Sequence, residues 1–539
     1  MAAKRVLFRS AAREKVLSGA TQLADAVRVT LGPKSKAVLI QKHWGEPLVC
    51  DDGVTIAKEL ELEDPEENLG AQVLRQAAEK TGDVVGDGTS TATILAHAIF
   101  AEGLRNVVAG ASAIDLKRGL ERGLRVAVED LAGRSRKLST RAERAQVATL
   151  SAHGNREIGE LVAEAIEKVG EDGVITVEES RTTETALEVV EGLRFDRGYI
   201  SPYFITEPTR MEATLDDPSI FLTDRKLTNP KELVPLLEQV AEAGRPVLVV
   251  ADDVAGEALA TLIVNHLRGV LRCVAVKAPG FGDRRKAMLG DLAAVTGATV
   301  VSDELGQRMQ ELGLSQLGRA TRVVVDSANT TIIGGGGSAE TIQGRVQQIR
   351  RELDKSTSDY DREKLEERIA RLSGGVAVIR AGAPSETEMK SRKGALEDAI
   401  SATKAAVAEG IVAGGGLALV RCTPSVNREA EHADGDERTG LRILQHALQA
   451  PARQIAENSA MDGGVVVEKM LAGDANLGLD ASTGRYLDLM EAGIVDPTKV
   501  VRVALQNAVS AASVLLLTEA TMTEIVSRPD HDKERDFPV

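Results

Sequence analysis

The string DVVGDGTSTATIL, residues 83–95, sets Asp87 between two glycines and follows it with three hydroxyl residues, Thr89, Ser90 and Thr91, and an apolar run. A glycine-rich turn that feeds a helix can hold phosphate oxygens, because the first N–H groups of a helix are unpaired and carry partial positive charge. Such turns usually add a lysine, and here a carboxylate stands instead. That choice suits phosphates that arrive with Mg2+, an ion that takes one or two carboxylates and completes its shell with phosphate oxygens and water. The string equally fits an ordinary helix start in which Asp and Thr cap the first turn. Elsewhere TLGPK (30–34) offers a second tight turn, DDGVTIAKE (51–59) more carboxylates, GIVAGGGLAL (410–419) a glycine-dense helix approach, and LEDA a further acid, Asp398. None of these is specific alone.

The elements that must position these residues are legible as periodicities. In AAREKVLSGATQLADAVRVTLGP, Val16, Ala20, Leu23 and Val27 fall on one helical face ahead of a stop at Gly32-Pro33. Further helices are expected across 65–82, 89–108, 113–133 and 141–168. Near residue 173 the pattern changes to GVITVEES and ALEVVEGLRF, and then to apolar runs such as RPVLVVADDV, RCVAVKAPGFGD and ATRVVVDSANTTIIGGGG. These predict buried strands interleaved with helices, an α/β domain. Ile342, Val346, Ile349 and Leu353, followed by Leu365, Ile369 and Leu372, predict an antiparallel helical hairpin. The chain then turns Ala-rich and helical again, so the simplest topology nests the α/β domain inside a helical one built from both ends.

One helix carries more apolar surface than a single packed side requires. In GEALATLIVNHLRG, Leu259, Leu262 and Ile263 form one face, and Ala260, Val264 and Leu267 form another. Either both faces are buried, or one meets a partner.

A chain of 539 residues is long enough for three or four folding units. Its net charge of -15 and 2% aromatic content argue against a nucleic-acid surface, which needs clustered cations and stacking platforms. Cys50, Cys273 and Cys422 form no CxxC pair and fit a reducing compartment. No HExxH string or Cys/His cluster suggests zinc. The basic start has only Val6-Leu7-Phe8 as an apolar run, too short for a signal-peptide core. No stretch is expected to reach the roughly 18 apolar residues of a membrane span. The expectation is a soluble, cytoplasmic protein with neither nucleic acid nor membrane as partner.

TLGPK, DDGVTIAKELELEDPEENLGAQ, GDGTSTAT, VVEGLRFDRGYISPYF, KAPGFGDRRKAML, TSDYDREKLEERIARLSGGVAVI, EGIVAGGGLAL and GIVDPTKVVR, in that order, resemble the group I chaperonin family, the GroEL-like proteins, from about residue 2 to 526. The resemblance implies a multidomain α and α/β fold. A mostly helical equatorial ATP-binding domain would take 1–133 and 410–526, and a small intermediate domain 134–191 and 375–409. An α/β apical domain would take 192–374 and a charged flexible tail 527–539. It implies a nucleotide site at Thr30, Leu31, Gly32, Pro33, Asp87, Gly88, Thr89, Ser90, Thr91, Gly414, Gly415 and Asp496, with Leu150, Asp480, Ala481 and Ile494 near the base. Asp87 would be the magnesium ligand, and Asp52 and Asp398 the acids needed for hydrolysis. Tyr199, Tyr203, Phe204, Val234, Leu237, Leu259, Ile263 and Val264 would line an apical groove for non-native polypeptide and for a lid-like co-chaperonin. Implied cofactors are ATP, Mg2+ and K+. The implied assembly is a homo-oligomer of heptameric rings stacked as a tetradecamer, with Arg453 and Asp462 at the ring-ring contact. Gly192, Gly374, Gly375 and Gly410 resemble hinge positions.

The chain departs from that family pattern at several positions. Asp51 stands where lysine is usual, which predicts weaker nucleotide affinity or altered potassium dependence. Asp480 replaces the usual Asn, Lys137 a hinge proline, and the charged end SRPDHDKERDFPV a Gly-Gly-Met tail. A polypeptide-binding scaffold with weak ATPase is therefore a second reading, and a metabolic ATP-dependent enzyme a third.

Overall fold

The computed structural model describes residues 4–42, 47–152, 154–170, 173–180, 182–208, 210–302, 312–355 and 358–524; the tail 527–539 lies outside them. The chain divides into two compact units, residues 1–163 with 394–539, and residues 164–393.

The first unit is a helical assembly. Helix Arg9–Arg28 packs on Pro65–Val85 and Thr89–Val108, and Thr498–Leu517 lies against Pro65–Val85, Thr89–Val108 and Ala113–Arg134. Its core is aliphatic, with Leu23, Leu74, Leu95, Ile99, Leu116, Leu120 and Leu505 buried. Small residues set how closely the helices approach. A Cβ on Gly19 would fall 1.7 Å from the Glu67 carbonyl oxygen, and one on Gly70 would fall 2.0 Å from that of Val16. Glycine weakens a helix interior by about 1 kcal/mol, a cost offset here by backbones in near contact. Val16, Ala20, Leu23 and Val27 are all buried, as their spacing predicts.

Two expectations need correction. Residues 141–168 form two helices, Arg141–Ser151 and Arg156–Val169. The break falls where Gly154 adopts φ +86° and the Asn155 side chain accepts from the Ile158 N–H at 3.2 Å. Helix Thr498–Leu517 is also long and apolar enough by composition to cross a membrane, contrary to the sequence reading, but most of it is buried inside the unit. Two of its polar residues are paired across the unit, while the buried Ser513 hydroxyl has no hydrogen-bond partner among the described residues. Arg502 forks onto Glu409 at 2.9 and 2.5 Å, and Asn507 donates to Thr81 at 3.0 Å.

The second unit is built on an eight-stranded mixed sheet. Cys273–Lys277, Val247–Ala251 and Ser219–Thr223 run parallel. Gly318–Val325, Thr330–Gly335 and Gly192–Phe195 continue the order antiparallel, while Val300–Val301 and Ala213–Asp216 pair to the side. The central strands Val247–Ala251 and Ser219–Thr223 are buried along their whole length, which is why the first reads as an unbroken apolar run and not as alternation. The helices Ala339–Lys355 and Asp359–Gly374 pack on each other as the predicted hairpin. Asp291, 4% exposed, is held by Arg345 and Arg368 and ties that pair to helix Gly282–Thr296. A smaller sheet places Val376–Ala381 between Val174–Glu179 and Ala186–Val190.

Candidate functional site

Helix Pro65–Val85 ends at Gly86 (φ 70°), and helix Thr89–Val108 begins at Gly88 (φ 76°). Both backbones are left-handed, a conformation that favours glycine, and a Cβ on Gly88 would meet Val500 Cγ1 at 2.7 Å. The N-cap of the second helix is thus a residue that has no side chain to cap with. Both readings of GDGTST, a phosphate-holding turn and an ordinary helix start, fit this geometry. Asp87 accepts from its neighbour Gly88 N–H at 2.5 Å and from Ser151 Oγ at 3.3 Å.

The turn after helix Arg9–Arg28 comes to the same place. Thr30 Oγ1 donates to the Val27 carbonyl at 2.9 Å and lies 3.1 Å from Ser90 Oγ. Asn458 braces the turn by donating to the carbonyls of Arg28 and Leu31 at 2.9 and 2.8 Å. Gly32 takes φ 93° ahead of Pro33. Gly53 makes room on the other side, where a Cβ would lie 2.2 Å from Ser90 Oγ. Asp52 precedes it as the N-cap of helix Gly53–Glu59 and accepts from Val54 N–H (3.2 Å), Thr55 N–H (3.0 Å) and Thr55 Oγ1 (2.6 Å). Sequence reasoning missed Asn458, Gly53 and Ser151. Only Gly53 left a local signal, as the glycine directly after an acid at a helix start.

Two more acids converge from distant segments. Burial, then the negative charges of Asp87, Asp52 and Glu397, push the Asp398 carboxyl up to about 8. Burial, then Asp87, raise Asp496 to about 7. The strands Ile411–Ala413 and Val495–Pro497 pair antiparallel with Val412 opposite Asp496. Gly414 N–H then donates to the Ile494 carbonyl at 2.9 Å, and a Cβ on Gly414 would lie 3.1 Å from Asp496 Oδ1. Gly415 follows at φ 63°.

The residues expected near the base are placed as follows. Ala481 is buried in a small core with Leu417, Leu479 and Leu489, and Ile494 packs against it. Leu150 is exposed at the end of helix Arg141–Ser151. Asp480 spends its carboxylate on its own hairpin, accepting from Ser482 and Thr483. Burial there works against ionisation, but those bonds outweigh it and hold the acid below the usual carboxylate range. Asp51, beside Asp52, is exposed.

Among the described residues, no three His, Cys, Asp or Glu side chains gather closely enough to cage a metal by themselves. Carboxylates with raised pKa beside a helix start suit a cation that arrives with its own phosphate ligands. Acids, a glycine turn and hydroxyl side chains are donor types that fit Mg2+ and a phosphate chain.

The second unit presents a different surface. In helix Gly256–Leu267, Ala258 and Leu262 are buried while Leu259 and Ile263 pack against the core as its inner face. Ala260, Val264 (44% exposed) and Leu267 (63%) form the outer face. Tyr203 (62%) is also exposed, and Tyr199 and Val234 are half-buried. Phe204 (0%) and Leu237 (6%) are core residues, the former edge-on to His266. Of the two readings of this helix, the one with an outward apolar face fits. Leu267 and neighbouring Val270, absent from the expected groove, extend that face.

A profile of the TCP-1/cpn60 chaperonin family matches residues 23–525. Chaperonin GroEL 5 of Bradyrhizobium diazoefficiens is 68% identical over 535 residues, covering 99% of this chain and 98% of the relative.

Proposed function

This chain belongs to the TCP-1/cpn60 chaperonin family and is a protein-folding chaperone, and from that premise we propose that it captures non-native polypeptide on the outer face of helix Gly256–Leu267 and releases it by hydrolysing ATP at the Asp87 turn. The observation that carries the proposal is the gathering of Asp52, Asp87 and Asp398 beside a helix that starts at a left-handed glycine, Gly88. Mg2+, when bound, would be held by Asp87 and would supply positive charge that offsets the phosphates. The N–H groups of Thr89, Ser90 and Thr91 hold the phosphates, while Thr30, Gly32, Gly414 and Gly415 wall the nucleotide. Asp52, fixed by three hydrogen bonds, orients a water in line with the γ-phosphorus. The water oxygen bonds to phosphorus, the bond to the bridging oxygen breaks, and the water's proton passes to Asp398. Asp398 keeps its proton near neutrality while the acids around it are unbalanced, so it becomes a base only when the nucleotide's cation is in place.

Capture needs no sequence code. Desolvating one large apolar side chain yields about 1.5–3 kcal/mol, so a few contacts through the exposed Tyr203, Val264 and Leu267, with Leu259 and Ile263 packed behind them, bind weakly and tolerantly. Buried Phe204 and Leu237 support that groove from beneath. Repetition around a heptameric ring raises avidity by on the order of 100-fold. Covering the same side chains with a co-chaperonin lid then frees the client into the cavity. Two stacked rings working in the cytoplasm, with K+ as a second cation, complete the proposal.

A steady-state ATPase assay with and without lid protein, run beside refolding of a denatured client, tests it. Turnover with lid-dependent refolding is expected, and client capture without turnover would overturn it.

A further inference from the structure

We propose that a cavity of about 530 Å³ beside the strand Ile411–Ala413 binds a small molecule with one anionic group and a compact apolar body, at a site separate from the nucleotide turn. The volume lies in the range of small-molecule sites. Val412, Ala413 and Met490 supply apolar lining, and Arg134, Arg136 and Arg421 supply guanidinium groups.

Two of these arginines already have acids. Arg134 forks onto Asp130 at 3.1 and 3.2 Å, and Arg136 pairs with Glu143 at 2.9 Å. Arg421 donates only to backbone oxygens, those of Ala475 at 3.0 Å and Leu477 at 3.4 Å and that of Asp474. Among the described residues no carboxylate lies within ion-pair distance of it, although Asp474 is near enough to favour its charge. Burial, then the neighbouring charge of Arg134, lower its pKa. A part-buried guanidinium without a counter-anion is stabilised by an incoming carboxylate or phosphate, whose paired oxygens match its fork. Glu491 also lines the cavity, and its like charge disfavours a polyanion such as a nucleoside triphosphate. One anionic group is therefore the fitting number.

The place suggests what the ligand would influence. Val412 is laddered to Asp496, and Gly414 comes directly after that strand. An occupant against Val412 and Ala413 would stiffen the strand that carries one wall of the nucleotide turn.

Calorimetric titration of the assembled full-length protein, held in saturating Mg-ADP to block the nucleotide turn, tests the assignment with phenyl phosphate and benzoate as probes. We expect saturable binding of at least one probe, weakened by about tenfold or more in Arg421→Ala, which removes the fork. Because Arg421 also braces the 474–477 backbone, Ala475→Phe is the independent check. Ala475 is exposed on the cavity lining, so the bulky ring occludes the space without replacing a buried side chain, and it should weaken binding comparably. Preference for phenyl phosphate or for benzoate identifies the natural head group, and either supports the site. No saturable binding to the unaltered protein, or full affinity retained in Ala475→Phe, overturns it.

Discussion

The Asp87 turn and the outer face of helix Gly256–Leu267 solve opposite physical problems. The turn concentrates like charge: Asp52, Asp87, Asp398 and Asp496 share a part-buried corner, where two of them have pKa values raised to about 8 and about 7. Its positions are fixed by hydrogen bonds, tight glycine contacts and strand register, so its specificity is geometric. The helix face concentrates nothing, and leaves Ala260, Val264 and Leu267 outward where a stable monomer would bury or replace them. Its tolerance follows from the absence of directional groups. A charge-dense corner punishes any displaced atom, whereas a greasy surface is sensitive mainly to polarity.

The largest expected effect separates the two directly. Asp398→Ala should cut ATP turnover by about 100-fold or more, the usual weight of a positioned acid or base, while nucleotide-free capture of a denatured client stays within twofold or so. A turnover loss accompanied by equal capture loss would erase the distinction. Next in size, Val264→Asp should weaken client binding by roughly tenfold, the loss of one desolvated apolar contact, and leave basal ATPase intact. Light-scattering suppression of client aggregation reads the first quantity and phosphate release the second.

Acid-base behaviour gives a third handle. The Asp398 carboxyl is raised from 3.8 to about 8, so between those values the folded chain binds more protons than the unfolded one. Stability must then fall as pH rises through that window. Denaturation midpoints of the nucleotide-free protein at pH 5.5 and 8.5 should show the decline, and Asp398→Asn should flatten it. An unchanged slope in the variant would remove Asp398 from the charged corner. Smallest is Asp51→Lys, which replaces an exposed acid beside Asp52 and should tighten nucleotide binding by about twofold to tenfold, the scale of an exposed charge pair. Unaltered affinity and turnover would make position 51 irrelevant.

Local order was the legible part of this molecule. The spacing of Val16, Ala20, Leu23 and Val27 declared a buried face because helix periodicity acts over a few residues. The run at 247–251 declared a buried strand for the same reason. The split between Ser151 and Arg156 was also written locally, as a glycine followed by a capping Asn, and was passed over because apolar periodicity continues on both sides. Helix Thr498–Leu517 misled differently. Arg502 and Asn507 are satisfied by Glu409 and Thr81, 93 and 426 residues away, so the sequence there carries no sign of which apolar side is covered. The charged corner has the same character: motif resemblance named its acids, but burial and the mutual repulsion of Asp398 with Asp87 and Asp52 exist only in three dimensions. Asn458 has no chemistry in its sequence context and acquires a role only by reaching Arg28 and Leu31.

Thr498–Leu517 closes a core whose other walls, Pro65–Val85 and Thr89–Val108, leave the ribosome some 400 residues earlier. At about 5–20 residues per second, those helices wait tens of seconds for their final partner, while the continuous sheet-bearing unit can finish meanwhile. During its own synthesis a chaperone of this design is therefore a long-lived nascent client, dependent on whatever shields unfinished chains until the last helix emerges.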